Sequence, residues 1–122
     1  MKKVMVVDDS KIMREIVKRT FDVLGYPVEY IEAGDGETAM QLLVNNDIDL
    51  ILLDWNIPGI TGIDCLKQIR AMEKFKTIPI IMVTSEASRM NIVEAVNAGA
   101  TAYITKPFNE NMFREKISKI NF

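Results

Sequence analysis

The chain has 122 residues, 48% of them hydrophobic, and 15 basic against 17 acidic side chains, for a formal net charge of −2. This size predicts one domain with a full hydrophobic core, and the interspersed charges argue against the basic stripe of a nucleic-acid-binding protein. The sequence contains no histidine and one cysteine, Cys65, which excludes histidine-based catalysis and an internal disulfide. The lone cysteine fits a reducing, cytoplasmic setting, and the N-terminal apolar run, residues 4–7, is too short for a signal peptide or a membrane span.

Five short apolar runs alternate along the chain with five longer segments of helical periodicity. The short runs predict strands over residues 3–7, 28–32, 50–53, 80–83 and 102–105. The longer segments predict helices over residues 11–24, 36–46, 63–75, 89–98 and 110–120. In the first helix, one apolar stripe is formed by Ile12, Ile16, Thr20 and Leu24, and in the last by Met112, Phe113, Ile117 and Ile120.

Residues typical of helix ends flank these segments. Side chains that commonly cap a helix N-terminus stand before four of the helices, at Ser10, Asp35, Ser88 and Asn109. Gly25 and Gly99 follow the first and fourth helices, where a left-handed stop is expected. The element boundaries are therefore supported by capping chemistry as well as by periodicity.

The composition of the strands predicts their order in the sheet. Strict alternation of strands and helices favours a parallel sheet covered by helices on both faces. The first, third and fourth strands are apolar on both faces, as interior strands are. The second strand alternates and follows Pro27, and the fifth is mixed, so both are expected at edges. The pattern is compatible with order 2-1-3-4-5, a flavodoxin-like, doubly wound (βα)5 fold that binds ligands at the carboxyl ends of its strands.

Three carboxylates stand directly after two of the predicted interior strands. Asp8 and Asp9 follow the first strand, and Asp54 follows the third. A single Asp at such a position often only caps the next helix. Three acids at two neighbouring strand ends instead favour a site that binds a hard divalent cation or retains some of its protons.

A hydroxyl and an ammonium group are expected at the same edge of the sheet. Thr84 ends the fourth strand and Lys106 follows the fifth, before Pro107. With Asp54 as a carboxylate nucleophile, this set suits phosphoryl transfer, in which Mg²⁺ and Lys106 neutralise charge and Thr84 donates a hydrogen bond. Asp8, Asp9, Asp54 and a backbone carbonyl would supply oxygen ligands to the Mg²⁺. We also predict a cis Lys106–Pro107 bond that directs the ammonium inward.

Four segments at the strand ends, residues 6–10, 54–59, 83–86 and 104–108, resemble the receiver domain of bacterial two-component response regulators. Residues 54–56, 91–95 and 98–103 are most similar to the stand-alone chemotaxis regulators of the CheY type. The resemblance covers the whole chain and implies a single receiver domain, residues 1–122, with no output domain. Residues 59–62 depart from the commoner polar loop but keep the glycine that opens the next helix.

The resemblance implies a role for each residue of the site. Asp54 would accept a phosphoryl group from a sensor histidine kinase, and Thr84 and Lys106 would bind that group. The implied metal ligands for Mg²⁺ are Asp9, Asp54 and the Asn56 backbone carbonyl, with Asp8 acting mostly through water. Asn56 and Glu86 would tune dephosphorylation, giving a phosphoryl lifetime of seconds to minutes. The protein would catalyse only its own phosphorylation and dephosphorylation.

The resemblance also implies how a signal leaves the site. Tyr103 would be a rotameric switch that turns inward when Thr84 moves toward the phosphoryl group. The change would alter a face made by the fourth helix, fifth strand and fifth helix, whose exposed candidates are Arg89, Ile92, Tyr103, Lys116 and Lys119. The expected partner is the flagellar motor switch, with a phosphatase as a further candidate and a monomer as the expected state.

Other classes of protein fit the sequence less well or differ only in partner. A flavodoxin would need a phosphate-binding loop where the acids Asp8 and Asp9 stand. An Asp-dependent phosphohydrolase would need a general acid in place of Asn56 and a cap domain. A phosphorelay intermediate would pass its phosphoryl group to another histidine, using the first helix near Lys11, Met13 and Arg14. A pseudo-receiver that binds partners without phosphorylation remains the fourth reading.

Overall fold

The structure of the protein, a computed structural model, describes residues 1–120 and residue 122. Five strands alternate with five α-helices, and a short 3₁₀ helix follows the third of these. The strands are β1 (Lys2–Val7), β2 (Val28–Ala33), β3 (Leu50–Leu53), β4 (Ile80–Thr84) and β5 (Ala102–Thr105). The helices are α1 (Lys11–Asp22), α2 (Gly36–Asn45), α3 (Gly62–Ala71), the 3₁₀ helix Glu73–Phe75, α4 (Arg89–Ala98) and α5 (Glu110–Ser118).

The sheet is parallel throughout and has the predicted order, β2-β1-β3-β4-β5. In this order β1 lies between β2 and β3, so the chain reverses its winding direction there. Val6 pairs with Leu52, and Val7 pairs with Leu53. The ends of β1 and β3 are therefore level, and the residues that follow them begin side by side.

Alternation along the interior strands sends their side chains to two separate cores. Met5, Val7, Ile51 and Leu53 pack with residues of α2, α3 and α4 on one face of the sheet. The neighbouring residues Val4, Val6, Leu50 and Leu52 pack with α1 and α5 on the other face. Because all of these side chains are buried, β1 and β3 are apolar on both faces, as predicted.

The predicted helix caps are all present. Ser10, Asp35, Ser88 and Asn109 each accept a hydrogen bond from the backbone N–H three residues later, and Thr61 caps α3 in the same way. The predicted stops at Gly25 and Gly99 have φ angles of 86° and 106°. In the part of the chain that the structure describes, no helix has the length and apolar character needed to span a bilayer.

Four predicted helix ends and one apolar stripe were wrong. α2 ends one residue early, α1 and α5 end two residues early, and α3 ends at Ala71 because Met72 is extended. In α1 the core-facing residues are Val17 and Phe21, whereas Ile12 and Ile16 are 75% and 41% exposed. The helix is rotated by one residue relative to the prediction because the Phe21 ring, packed edge-on against Tyr30, fills the core.

Candidate functional site

Three carboxylates, Asp8, Asp9 and Asp54, form an acidic cluster at the carboxyl end of the sheet. One carboxylate oxygen from each lies within 4.8 Å of the others. The Asp8 amide donates to the Ala33 carbonyl at 3.0 Å, and the Asp54 amide donates to the Val7 carbonyl at 3.0 Å. Sheet-like hydrogen bonding thus continues one residue past the strands and fixes the backbone of both acids. Asp8 and Asp54 are buried, and Asp9 is exposed.

Lys106 joins the two buried carboxylates. Its Nζ lies 2.8 Å from Asp8 Oδ2 and 3.0 Å from Asp54 Oδ2. The peptide bond between Lys106 and Pro107 is cis, as predicted, and the Lys106 amide donates to the Thr84 carbonyl at 2.9 Å. The two contacts of Nζ show that the ammonium group points into the acidic cluster, which was the predicted direction.

The charges in this cluster do not balance. Burial raises the pKa of Asp8, against hydrogen bonds from Lys106 and the Ser10 amide that favour its ionised form. Burial alone would lower the pKa of Lys106, but its hydrogen bonds to Asp8 and Asp54 outweigh that effect and raise it. With all groups ionised, three carboxylates face one ammonium, which leaves two negative charges. Hard oxygen donors with this excess charge fit a divalent cation such as Mg²⁺.

Glu86 is held between two amides above the carboxyl end of the sheet. Its Oε1 accepts from Asn56 Nδ2 at 2.9 Å, and its Oε2 accepts from Asn91 Nδ2 at 3.2 Å. Its backbone amide donates to Oγ1 of the fully buried Thr84 at 3.2 Å. The loop after β3 and the start of α4 are thus connected through one side chain.

Tyr103 on β5 is partly buried. Its hydroxyl donates to the Glu86 carbonyl, and its ring packs against the core on the α3–α4 side. Burial raises the pKa of this phenol to about 12, and the negative charges of Glu86 and Asp54 add to the effect. The hydroxyl therefore stays protonated and able to donate at neutral pH.

The predicted output face is less exposed than expected. Arg89 and Lys119 are exposed, and Lys119 pairs with Glu115 at 3.3 Å, whereas Ile92, Tyr103 and Lys116 are only half-exposed. Of those three, Tyr103 packs against the core on the α3–α4 side. The apolar residues that do project from α4 are Met90, Val93 and Val96, which the sequence analysis did not single out.

Two contacts that support the acidic cluster were not predicted. Gly62 donates its amide to the Trp55 carbonyl at 2.7 Å, and a Cβ on it would lie 2.0 Å from the Asp54 carbonyl oxygen. Arg14 Nη1 donates to the Asp8 carbonyl at 2.6 Å. The sequence feature that marks Gly62 is its place directly after the N-cap Thr61. No sequence pattern indicated the contact between Arg14 and the Asp8 carbonyl.

The family comparison agrees with this geometry. The response regulator receiver domain matches residues 4–118. The chain therefore belongs to the response regulator receiver family, whose members work in phosphorylation-activated two-component signalling with a histidine kinase as phosphodonor.

Among receivers, the chain is of the CheY type found in chemotaxis. Chemotaxis protein CheY-3 of Vibrio cholerae is 47% identical over 118 residues, covering 97% of this chain and 90% of that protein. The structure of Vibrio cholerae CheY4 has a TM-score of 0.86 and 35% identity, covering 99% of each chain. The Mn²⁺-bound form of response regulator Rcp1 has a TM-score of 0.82 and 26% identity, covering 97% of this chain and 91% of that one.

Proposed function

We propose that this protein is a chemotaxis switch that is phosphorylated on Asp54 by a sensor histidine kinase. The observation that carries the proposal is the pair of hydrogen bonds from Lys106 to Asp8 and Asp54 at the carboxyl end of the sheet. A carboxylate nucleophile beside a fixed cation is the arrangement that phosphoryl transfer requires. An Asp54 oxygen forms a bond to phosphorus while the bond from phosphorus to the donor's imidazole nitrogen breaks.

The proposed metal is Mg²⁺, held by Asp8, Asp9, Asp54 and the backbone carbonyl of Asn56. The acidic cluster supplies the hard oxygen donors, and the related Rcp1 binds Mn²⁺, another small divalent cation. When bound, the ion neutralises charge on the phosphoryl oxygens. Lys106 neutralises charge from the other side, and the chain therefore promotes its own phosphorylation mainly by position and charge.

The proposed output switch consists of Thr84 and Tyr103. Thr84 Oγ1 now accepts from the Glu86 amide, and Tyr103 donates to the Glu86 carbonyl. A phosphoryl group on Asp54 would compete for Thr84, and a shift of Thr84 would alter both contacts. Phosphorylation then biases an equilibrium between two arrangements of the α4-β5-α5 face, where the flagellar motor switch would bind.

Asn56 and Glu86 are proposed to control how long the phosphoryl group lasts. Their side chains hydrogen-bond each other across the approach to Asp54. A water molecule attacking the phosphoryl group must pass these side chains, so their size and charge set the rate of autodephosphorylation. We expect a lifetime of seconds to minutes, as the resemblance implies, and a cognate phosphatase would shorten it.

A phosphorelay intermediate is a second candidate because of one feature of α1. Ile12 and Ile16 are exposed apolar side chains at i and i+4 on the helix that begins beside the acidic cluster. Such a surface suits docking of a second phosphotransfer protein. Transfer of the phosphoryl group from Asp54 to a histidine protein, faster than hydrolysis, would favour this candidate over the motor switch.

The proposed function is tested with Trp55, which adjoins Asp54 and is the only tryptophan in the chain. Its fluorescence is followed on adding Mg²⁺ and then acetyl phosphate, in the wild type and in Asp54→Asn. We expect both proteins to fold and only the wild type to show a reversible phosphodonor response. A phosphodonor response of equal size in Asp54→Asn, or none in the Mg²⁺-bound wild type, would contradict the proposal.

The motor-switch assignment needs a separate measurement. Affinity for a peptide from the motor switch is compared with and without beryllium fluoride as a phosphoryl mimic. We expect tighter binding with the mimic in the wild type and a smaller gain in Tyr103→Ala. Equal affinities in the wild type would leave the receiver assignment standing and remove the motor switch as its partner.

A further inference from the structure

The loop between β1 and α1 carries two of the three acids, and one side chain holds it from outside the acidic cluster. Arg14 Nη1 donates to the Asp8 carbonyl at 2.6 Å, and Arg14 Nε donates to Glu32 Oε1 at 2.9 Å. The guanidinium therefore connects α1, the end of β2 and the acidic loop. The Arg14 side chain is 17% exposed, so it is largely shielded from competing water.

The Asp8 carbonyl belongs to the peptide group that connects Asp8 to Asp9. A hydrogen bond to this oxygen fixes the plane of that peptide, and with it the direction in which Asp9 leaves the strand. The Asp8 amide is already held by Ala33, and the Asp8 carboxylate is held by Ser10 and Lys106. The Asp9 amide belongs to the same peptide group as the Asp8 carbonyl, so the Arg14 contact also fixes the start of the Asp9 backbone.

Glu32 keeps the Arg14 guanidinium in place. Partial burial would raise the pKa of Glu32, but hydrogen bonds from Lys18 and Arg14 outweigh it, and the net effect is a lowered pKa. The carboxylate is therefore ionised at neutral pH, with Lys18 Nζ 3.0 Å from Oε2. A planar guanidinium can reach Glu32 and the Asp8 carbonyl together, whereas the single ammonium of lysine is poorly suited to do so.

We propose that Arg14 is a positioning residue for the acidic cluster, fixing the Asp8–Asp9 peptide so that the Asp9 carboxylate lies ready beside Asp54 for a divalent cation. The inference rests on the Mg²⁺ site of the proposed function. Arg14 touches neither the cation nor the phosphoryl group and acts through the backbone. Residues that orient metal ligands in this way commonly have large effects on metal affinity.

The sign of the effect separates positioning from simple electrostatics. Arg14 is a cation close to a site for another cation, so its charge alone opposes Mg²⁺ binding. If charge were its only influence, removing it would tighten Mg²⁺ binding. If Arg14 positions Asp9, its removal weakens binding despite the loss of a repelling charge.

The experiment measures the Mg²⁺ dissociation constant by Trp55 fluorescence and by calorimetry in four proteins: wild type, Arg14→Met, Arg14→Lys and Lys18→Met. We expect Arg14→Met to raise the dissociation constant about tenfold, the lower end of the range for residues that orient metal ligands. Arg14→Lys should also raise it although the charge is kept. Lys18→Met is the matched control, because it removes a cation from Glu32 without touching the Asp8 carbonyl.

In Lys18→Met we expect the dissociation constant to change by less than about twofold, since Lys18 contacts Glu32 and not the acidic cluster, and salt weakens the influence of a charge at a distance. Melting temperatures of all four proteins separate metal affinity from stability. If Arg14→Met does not fold, Glu32→Gln is measured instead. This substitution weakens the contact that holds the Arg14 guanidinium and should also raise the Mg²⁺ dissociation constant. A raised Mg²⁺ dissociation constant in Glu32→Gln would support the positioning role of Arg14, and an unchanged dissociation constant would contradict it.

The two proposals fail in different ways. A wild type that binds no Mg²⁺ overturns the metal site, and the positioning role of Arg14 with it. A wild type that binds Mg²⁺, together with folded Arg14→Met that binds it as tightly or more tightly, overturns the positioning role alone. An equal loss of affinity in Lys18→Met would also overturn it, because the effect would then belong to the whole charge network.

Discussion

The two ends of the parallel sheet use polar side chains in opposite ways. At the amino end, polar groups serve the backbone. Arg70 donates to the carbonyls of Gly99 and Phe75 at 2.9 Å each, and Thr101 Oγ1 accepts from the Ile80 amide at 3.0 Å. Each of these contacts connects one side chain to a neutral peptide group, so no like charges are brought together.

At the carboxyl end, charged side chains are bound mainly to one another. Asp8 and Asp54 share Lys106, and Asp9 adds a further negative charge beside them. The comparison teaches that the amino end is arranged for stability, whereas the carboxyl end keeps an excess of charge that costs stability and is available for a ligand. Substitutions at the two ends should therefore change the free energy of unfolding by different amounts and, in one case, with the opposite sign.

The largest expected effect is that of Gly62→Ala, beneath the acidic cluster. A Cβ at this position would lie 2.0 Å from the Asp54 carbonyl oxygen and 2.7 Å from Trp55 Cα. These are backbone atoms that cannot move without displacing Asp54, so we expect a loss of about 3 kcal/mol in the free energy of unfolding. Chemical denaturation measures the loss, and Trp55 fluorescence should show weaker Mg²⁺ binding.

Gly34→Ala is the matched control for that substitution. A Cβ there would meet only the flexible end of Arg14, at 3.6 Å, which is ordinary contact. We expect a change of less than about 0.5 kcal/mol, as for most surface substitutions. Equal losses of stability in Gly62→Ala and Gly34→Ala would contradict the prediction. They would show that the close approach of α3 to Asp54 does not affect the free energy of unfolding.

At the amino end, we expect Arg70→Met to lower stability without changing Mg²⁺ affinity. The substitution keeps much of the apolar stem but leaves two carbonyls without the guanidinium. Hydrogen bonds to charged groups contribute about 2 kcal/mol each, and water can replace part of that contribution once the guanidinium is gone, so the net loss should be about 2 kcal/mol. Denaturation and a Mg²⁺ titration check the two halves of the prediction, and a weaker Mg²⁺ affinity would mean that the ends of the sheet are coupled.

The sequence was sufficient to predict the strand order and the residues that meet at the carboxyl end. Strand ends are marked by the change from apolar to acidic residues, so Asp8, Asp9 and Asp54 were placed from pattern alone. Lys106 could be placed because it precedes Pro107 directly after a strand. These signals are local, and parallel topology converts them into proximity.

The supporting contacts could not be predicted because they join residues far apart in the sequence through particular side-chain conformations. Arg14 reaches Glu32 on β2, and Arg70 reaches Gly99 beyond α4. Periodicity alone also allowed two rotations of α1, and packing of Phe21 selected the one that exposes Ile12.

The smallest expected effect, and the one with the opposite sign, is that of Asp8→Asn in the absence of Mg²⁺. Burial raises the pKa of Asp8 above its ordinary value of 3.8, so the folded protein binds this proton more tightly than the unfolded chain does. The wild type therefore loses stability as the pH rises from about 3.8 through the raised pKa. An amide at this position can still accept from Lys106 and can donate to Asp54, and it carries no charge.

We therefore expect Asp8→Asn to be more stable than the wild type at pH 7, by less than the loss expected for Arg70→Met. The difference should shrink toward zero as the pH falls below 3.8, where Asp8 is protonated in both states. Saturating Mg²⁺ should reverse the order, because a ligand that binds only the folded state stabilises the wild type more. Denaturation at several pH values, with and without Mg²⁺, tests all three points.

A wild type that remains the more stable protein at pH 7 without Mg²⁺ would contradict this prediction. It would mean that the bond from Lys106 to Asp8 outweighs the cost of burying the Asp8 charge. The carboxyl end, like the amino end, would then be arranged for stability.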